Sequence, residues 1–213
     1  MTLLALSLAC TGDGGIDYKG TKMDEFFPME GGRQATYVNE DAAIPYQLEM
    51  EKVGESAQVG DRQVWTFEYY DDQTFSLVAG VKWSVIAGDA VEIHGWSDAG
   101  GVETTYDPPI NVTDTSGYMH VGDSVVTETG GTTFTSTYVA NEDCPVQWGL
   151  DWEDCAHISI TDGGAGVSAA DPATRPFFVG DYWLVTRYMI AWMHNRGYDQ
   201  KWNLADYDYD TGS

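Results

Sequence analysis

The sequence predicts an all-β protein whose antiparallel strands form two sandwich- or half-barrel-like lobes. Apolar and polar residues alternate at period two along most of the chain, which is typical of strands with one buried face. Turn residues such as Asp71-Asp72 and Gly130-Gly131 recur between the alternating segments. The pair Pro108-Pro109 interrupts the pattern near the middle of the chain, which predicts an extended break. We therefore expect a first lobe at residues 26–109 and a second lobe at residues 110–213.

The alternating segments set the order of the predicted strands. Ala87-Gly88-Asp89 is expected to join two of them in a tight hairpin. Residues 163–174 are rich in Gly, Ala and Pro and predict a loop. Segment 182–193 is apolar enough for a helix, but its β-branched and aromatic residues favour a hairpin that turns at residues 195–197. The other predicted strands are residues 34–38, 46–53, 63–70, 74–78, 81–86, 90–94, 104–106, 124–128, 132–139, 155–160 and 200–204.

Acidic residues dominate the charge of the chain. The 213 residues include 34 Asp and Glu but only 10 Lys and Arg, so the formal net charge is −24. Nucleic-acid phosphates and anionic lipid head groups would be repelled, which excludes both as charge-driven partners. Divalent cations and basic proteins or ligands remain possible partners. Solubility or adaptation to a salty medium is the interpretation that we favour for this charge.

The N-terminal residues have the pattern of an export signal. Residues 3–9 form an apolar run, which is too short for a bilayer, since spanning needs roughly 20 residues, but fits a signal-peptide core. Leu6-Ser7-Leu8-Ala9-Cys10 resembles the lipobox of bacterial lipoprotein precursors. The resemblance implies a signal peptide at residues 1–9, cleavage before Cys10, a lipid anchor on Cys10 and sorting to the outer membrane. The alternative is an N-terminal strand or helical turn that happens to contain a cysteine.

The residues after Cys10 and the other two cysteines fit the same interpretation. Glycine-rich residues 10–25 predict a flexible tether that begins with the lipidated cysteine. Lipidation of Cys10 leaves Cys144 and Cys155, which we predict to form a disulfide because exported proteins are oxidised. A bridge across this short loop would add about 2–3 kcal/mol on the loop-entropy model. A metal held by these two cysteines is the weaker alternative, since the chain has no Cys-x-x-Cys spacing.

Several different short motifs lie along residues 26–205. They are Phe27-Pro28-Met29 with Gly32, Tyr106-Asp107-Pro108-Pro109, Val121-Gly122-Asp123, Cys155 and Tyr182-Trp183-Leu184. In these motifs the chain resembles a loose group of bacterial envelope lipoproteins of uncharacterised function. The resemblance implies two lobes of antiparallel strands, with no known chemistry to carry over.

Catalytic motifs are hard to find in this sequence. There is no Gly-x-Ser-x-Gly. The pairs His157/Ser159 and Glu92/His94 are each two residues apart, which places both members on one face of a strand. A catalytic triad needs a third, oriented group, and the sequence indicates none. We interpret His157/Ser159 as a chance pair and Glu92/His94 as the solvated polar face of a half-buried strand, and no pair of carboxylates stands out for glycoside hydrolysis.

Two other sets of residues are candidates for binding. Asp206, Asp208 and Asp210 alternate as the ligands of a calcium loop do. Their glycine comes one residue late, so an acidic C-terminal tail is the interpretation that we favour. Three tryptophans are predicted to lie in loops or beside the disulfide, where they either bind a partner or cap the ends of the lobes: Trp96, Trp148 and Trp152.

The sequence therefore predicts an exported, outer-membrane-anchored lipoprotein that is not an enzyme and that binds or scaffolds partners. These partners would be envelope or surface proteins or glycans, recognised through the tryptophan loop or an open sheet edge. No cofactor is expected apart from calcium in the aspartate motif. Two alternatives remain: a secreted hydrolase that acts on polysaccharide or peptide, and a calcium-dependent surface protein.

Overall fold

Antiparallel β-strands make up most of the described chain. The computed structural model describes residues 20–27, 29, 33–39, 47–52, 57–85, 90–145, 154–163, 175–186, 189–195 and 200–209, with the backbone alone at 33, 47–52, 189 and 206–209. The strands are β1 Thr21–Lys22, β2 Arg33–Asn39, β3 Gln47–Lys52, β4 Ala57–Val59, β5 Arg62–Asp71, β6 Leu77–Val85, β7 Val91–Ser97, β8 Glu103–Asn111, β9 Tyr118–Met119, β10 Ser124–Thr129, β11 Thr132–Glu142, β12 Cys155–Asp162, β13 Gly180–Val185, β14 Met189–Asn195 and β15 Gln200–Tyr209. The predicted all-β class is confirmed. No helix among the described residues has the length and apolar character needed to cross a bilayer.

Thirteen of the strands form one half-barrel-like sheet. Its order is β10-β11-β12-β13-β14-β15-β2-β3-β5-β6-β7-β8, and β4 pairs with β5 beside this path. The described pairings are antiparallel, and most join strands that follow one another in sequence. Strand β15 pairs with β2, so the first and last long strands of the described chain meet in the middle of the sheet. The strands at the two ends of this order are β8 and β10, which we call the edge strands.

The two edge strands approach each other and are linked by side chains. The Asn111 amide on β8 donates a hydrogen bond to Thr127 Oγ1 on β10, at 3.1 Å. The Ser136 hydroxyl on β11 donates to the carbonyl of Val112, at 2.7 Å. These bonds stand where a continuous sheet would have a ladder of backbone bonds. The unpaired edges thus shield each other along part of their length.

The larger of two hydrophobic clusters among the described residues forms the main core of the sheet. It contains Tyr37, Phe67 and Trp83 from the first half of the chain, together with Tyr138 and Trp202 from the second. All five are no more than 2% exposed, and burial of each large side chain contributes roughly 1.5–3 kcal/mol. The predicted division into lobes at residue 109 is not confirmed, because strands from both sides share one sheet and its main core.

Residues near the N-terminus of the described chain pack against this core. Strand β1 pairs with β9 in a separate two-stranded sheet, and a 3₁₀ helix follows at Met23–Phe26. Met23 is fully buried, and the ring of Phe27 lies 5.5 Å from that of Trp83. The predicted tether, residues 10–25, is therefore too long at its C-terminal end. Residues 10–19 lie outside the described residues.

The structure refines two predictions about strands. Pro108-Pro109 lie within the span of β8, but the pairing of β8 with β7 is interrupted there, since Thr105 pairs with Gly95 and Ile110 with Ile93. The predicted extended break is therefore an interruption of pairing within one edge strand, a position that tolerates proline. Residues 74–78 were expected to form one strand, whereas β6 begins at Leu77 after a turn. The hairpin predicted around residues 195–197 is confirmed by the pairing of β14 with β15. Segment 182–193, expected as one arm of this hairpin, is divided between β13 and β14.

Candidate functional site

A groove opens beside the point where β8 and β10 meet. Its more enclosed part has a volume of about 240 Å³ and is lined by Trp96, Thr104, Tyr106, Thr132, Phe134 and Asp162, among others. A more open part of about 480 Å³ is lined by residues that include Asp107, Glu128, Thr129 and Thr132. Gly130 and Thr132 line both parts, so the two parts adjoin, and we call them together the edge groove.

A register shift brings Trp96 into the edge groove. In the pairing of β6 with β7, Lys82 lies opposite Gly95 but Trp83 opposite Ile93, so β7 has one extra residue, which reverses which of its side chains face the core. Trp96 therefore joins the core and is 6% exposed. Gly95 allows the backbones of β7 and β8 to lie close together here, since a Cβ atom at this position would lie 2.5 Å from the carbonyl oxygen of Thr104. The prediction that Trp96 lies in an exposed loop is wrong.

Tyr106 is the central aromatic side chain of the edge groove. Its ring makes edge-to-face contacts with Phe134, at 5.4 Å between centroids, and with Phe178, at 5.9 Å. Burial raises the pKa of Tyr106 to about 12, the hydrogen bond from Trp96 opposes this rise, and the negative charge of Asp162 adds to it. The hydroxyl consequently stays protonated at neutral pH.

A glycine turn shapes the open part of the edge groove. Gly130 and Gly131 connect β10 to β11 with φ values of +57° and +76°, the left-handed pair that a two-residue hairpin turn requires. The predicted Gly130-Gly131 turn is confirmed. It places Thr129 opposite Thr132 in the hairpin register.

The polar lining of the edge groove is acidic. Asp162 lies opposite Phe134 in the register of β11 and β12, while Asp107 and Glu128 are exposed. Neither part of the groove has a Lys, Arg or His among its described lining residues. Thr129 is 5% exposed, and its hydroxyl has no hydrogen-bond partner among the described residues. A buried hydroxyl without a partner is uncommon in folded proteins.

A buried polar cluster lies on the outer face of β6 and β7. The Ser84 hydroxyl is 2.8 Å from His94 Nε2 and 3.2 Å from Glu92 Oε2. Glu92 Oε2 is also 3.3 Å from His94 Nε2 and 3.4 Å from Arg62 Nε. The hydrogen bond with His94, the charge of Arg62 and the bond with Ser84 lower the pKa of Glu92 against the opposing effect of burial.

This cluster differs from a catalytic triad in two ways. The serine and the carboxylate both contact Nε2 of His94, whereas a triad needs the carboxylate on the opposite ring nitrogen. Ser84, Glu92 and His94 are also at most 8% exposed. The arrangement is that of a structural network, and the interpretation of Glu92/His94 as a solvated strand face is wrong because both side chains are buried.

A second polar cluster lies beside the disulfide. The imidazole of His157 stacks on Trp183 with centroids 3.8 Å apart and an angle of 18° between the planes. Glu142 joins them, since its Oε1 lies 2.9 Å from His157 Nδ1 and accepts a 2.8 Å hydrogen bond from Trp183 Nε1. Asp181 Oδ1 lies 3.5 Å from His157 Nε2, an electrostatic contact too long for a strong hydrogen bond. Carboxylates thus face both ring nitrogens of His157.

The structure tests only some of the residues singled out from the sequence. Cys144 and Cys155 form the predicted disulfide. Asp206 and Asp208 lie in β15, with Thr36 and Gln34 as their partners on β2, so the loop backbone expected of a calcium motif is absent at these two residues. Among the described residues no three His, Cys, Asp or Glu side chains are grouped for a metal ion. The predicted residues that lie outside the described part of the chain are Cys10, Trp148, Trp152 and Asp210.

Sequence reasoning did not anticipate the edge groove. Tyr106 and Phe134 were assigned only as strand residues, because no sequence signal relates two strands that meet at opposite edges of one sheet. The nearest signals were the Gly130-Gly131 turn and the apolar residues around it. No family model, no curated protein and no solved structure matches this chain.

Proposed function

We propose that this protein is a non-catalytic binding protein of the bacterial envelope, held at the outer membrane by a lipid on Cys10. The edge groove is its binding site. The observation that carries this proposal is the groove itself, in which Trp96, Tyr106 and Phe134 meet hydroxyl groups and carboxylates. Apolar walls with a few convergent polar groups are the usual composition of a ligand site.

The position of the edge groove suits a binding protein. It lies at the two sheet edges, which are the places where a sheet most readily accepts another chain or ligand. The rigid strands β7, β8, β11 and β12 supply its walls, so little ordering is needed when a partner binds. The lipobox-like segment at residues 6–10 supports display on a membrane surface. The partners would be envelope or surface proteins or glycans.

Site-specific photo-cross-linking in intact bacteria tests the proposal. A photoreactive amino acid replaces Thr104, an exposed residue of the groove lining, in the full-length protein. The matched control carries the same amino acid at Gln73, an exposed residue of the turn after β5. We expect a discrete adduct, identified by mass spectrometry, from the Thr104 position and none from the Gln73 position. Equal labelling at both positions, or none at either, would contradict the proposal.

The same cells test the anchor. Cys10→Ser removes the thiol that would carry the lipid, so we expect this variant to leave the membrane fraction and to lose incorporation of a palmitate analogue. The double variant Cys144→Ser/Cys155→Ser is the control, because it removes thiols without touching Cys10. An unchanged membrane fraction and unchanged lipid labelling of Cys10→Ser would refute anchoring at this residue.

A further inference from the structure

The charge of the edge groove restricts the ligands that it accepts. Asp107, Glu128 and Asp162 contribute carboxylates, and no described lining residue contributes a positive charge. The whole chain carries a formal charge of −24, which concentrates cations near the surface and repels anions. Charge complementarity therefore favours a cationic ligand.

The aromatic walls of the groove also favour a cationic ligand. Trp96, Tyr106 and Phe134 are held rigidly by the core and line the groove near Asp162. Aromatic faces attract ammonium groups through the negative charge density of their π systems, and most strongly where water is excluded. A carboxylate beside aromatic rings provides a counter-ion together with this attraction.

The Thr129 hydroxyl, which has no partner among the described residues, favours a ligand that can donate a hydrogen bond to it. Its oxygen is buried in the open part of the groove and lacks a hydrogen-bond partner among the described residues. A quaternary ammonium has no N–H to offer this oxygen, whereas a primary ammonium has three. The hydroxyl thus distinguishes between two kinds of organic cation.

We infer that the edge groove binds a ligand that carries primary ammonium groups, with Asp162 as the counter-ion and the three aromatic rings as walls in the enclosed part, and with Thr129 as an acceptor in the open part. This inference rests on the proposed function and names the chemical class of its ligand. Lysine side chains, amino sugars and linear polyamines all carry such a group.

Titration of the full chain with small probes tests the inference. The probes are 1,5-diaminopentane, its fully N-methylated quaternary analogue and 1,5-pentanediol, and the readout is the fluorescence of the protein supported by calorimetry. We expect the diamine to bind roughly tenfold or more tightly than the diol and the quaternary analogue, since each charged hydrogen bond lost costs that much affinity. Equal affinity for the diamine and the diol would overturn the inference.

Two variants assign the contacts. Asp162→Asn is expected to weaken diamine binding roughly tenfold to a hundredfold, while Asp72→Asn, the same change in a turn outside the groove, leaves it unchanged. Thr129→Val is expected to weaken binding while the protein remains at least as stable as the wild type, because the valine removes a buried hydroxyl without a partner. Undiminished diamine binding by both Asp162→Asn and Thr129→Val would refute the assigned site.

The source of the ammonium group and the proposed function are tested separately. A lysine-containing peptide and a chito-oligosaccharide with free amines, each compared with its N-acetylated form, show which carrier the groove prefers. Loss of binding on acetylation supports the inference for that carrier. Binding of the acetylated forms with unchanged affinity overturns the ammonium inference but leaves the groove as a binding site. Absence of any groove adduct in the photo-cross-linking experiment refutes the proposed function itself.

Discussion

Individual polar residues of this protein are buried on both faces of the sheet, and their effects differ with their partners. Glu92 is surrounded by His94, Ser84 and Arg62 at 3.2–3.4 Å, so its charged form is well compensated. Thr129 has a hydroxyl with no described partner. The first arrangement stabilises the fold, whereas the second costs stability that binding of a ligand can restore.

The pKa shift of Glu92 gives a prediction for acid stability. Because the pKa is lower in the folded protein, the carboxylate stabilises the fold at neutral pH, and this contribution is lost as the pH falls below the ordinary Glu value of about 4.3. We expect Glu92→Gln to lower the free energy of unfolding by about 1.5–3 kcal/mol at pH 7. The difference from the wild type should shrink near pH 3. Urea unfolding at the two pH values measures both quantities.

Glu103→Gln is the matched control for this prediction. Glu103 pairs with Lys82 at 2.8 Å, but its side chain is 58% exposed. Exposed ion pairs contribute only about 0–1 kcal/mol, so a small loss is expected. If the two variants lost equal stability, the buried network around Glu92 would have no special role.

At the scale of single elements, the alternation of apolar and polar residues predicted most of the strands but not the irregularities in their pairing. Strands such as β11 and β12 alternate buried residues with more exposed ones over most of their length, and this pattern is a local property. The position of Trp96 was not predicted because one extra residue in β7, seen in its pairing with β6, reverses the facing of the residues beyond it. Pro108-Pro109 does interrupt the pairing of β8 with β7, but the local sequence could not show that one strand continues on both sides of the interruption.

The link between the edge strands β8 and β10 gives a prediction at the same scale. The Asn111 amide has Thr127 Oγ1 as its partner across the edges, and Thr127 is 6% exposed. Thr127→Val removes this acceptor, so we expect a loss of about 1 kcal/mol in the free energy of unfolding. Hydrogen exchange should quicken at the Asn111 amide before it quickens in the core strands.

Thr137→Val controls for the change of side chain in the same hairpin. Thr137 Oγ1 lies 2.8 Å from Ser124 Oγ in an exposed position within β10 and β11, where water replaces the lost bond. We expect a change of only a few tenths of a kcal/mol and unaltered exchange at Asn111. Faster exchange at Asn111 in this control would contradict the assignment of the link to Thr127.

At the scale of the whole molecule, one 13-stranded sheet and its main core contain residues from both halves of the described chain, which the sequence suggested were separate lobes. The sequence could not show that the two halves share one sheet, because β15 and β2 come from opposite ends of the described chain and their pairing is known only from the structure. The edge groove has the same origin, since its walls come from both halves. Local patterns fix strands, whereas closure of the sheet brings the binding residues together.

The net charge leads to the last prediction. With 34 acidic and 10 basic side chains, the folded state carries repulsion that salt screens, because the Debye length falls from about 10 Å at 0.1 M to about 3 Å at 1 M. We expect 1 M NaCl to stabilise the fold by at least about 1 kcal/mol, or roughly 2–4 °C in Tm. Calorimetry at pH 7 measures this, and the gain should shrink near pH 4, where many carboxylates are protonated. A salt effect of equal size at both pH values would indicate a stronger hydrophobic effect in salt and not the screening of charge.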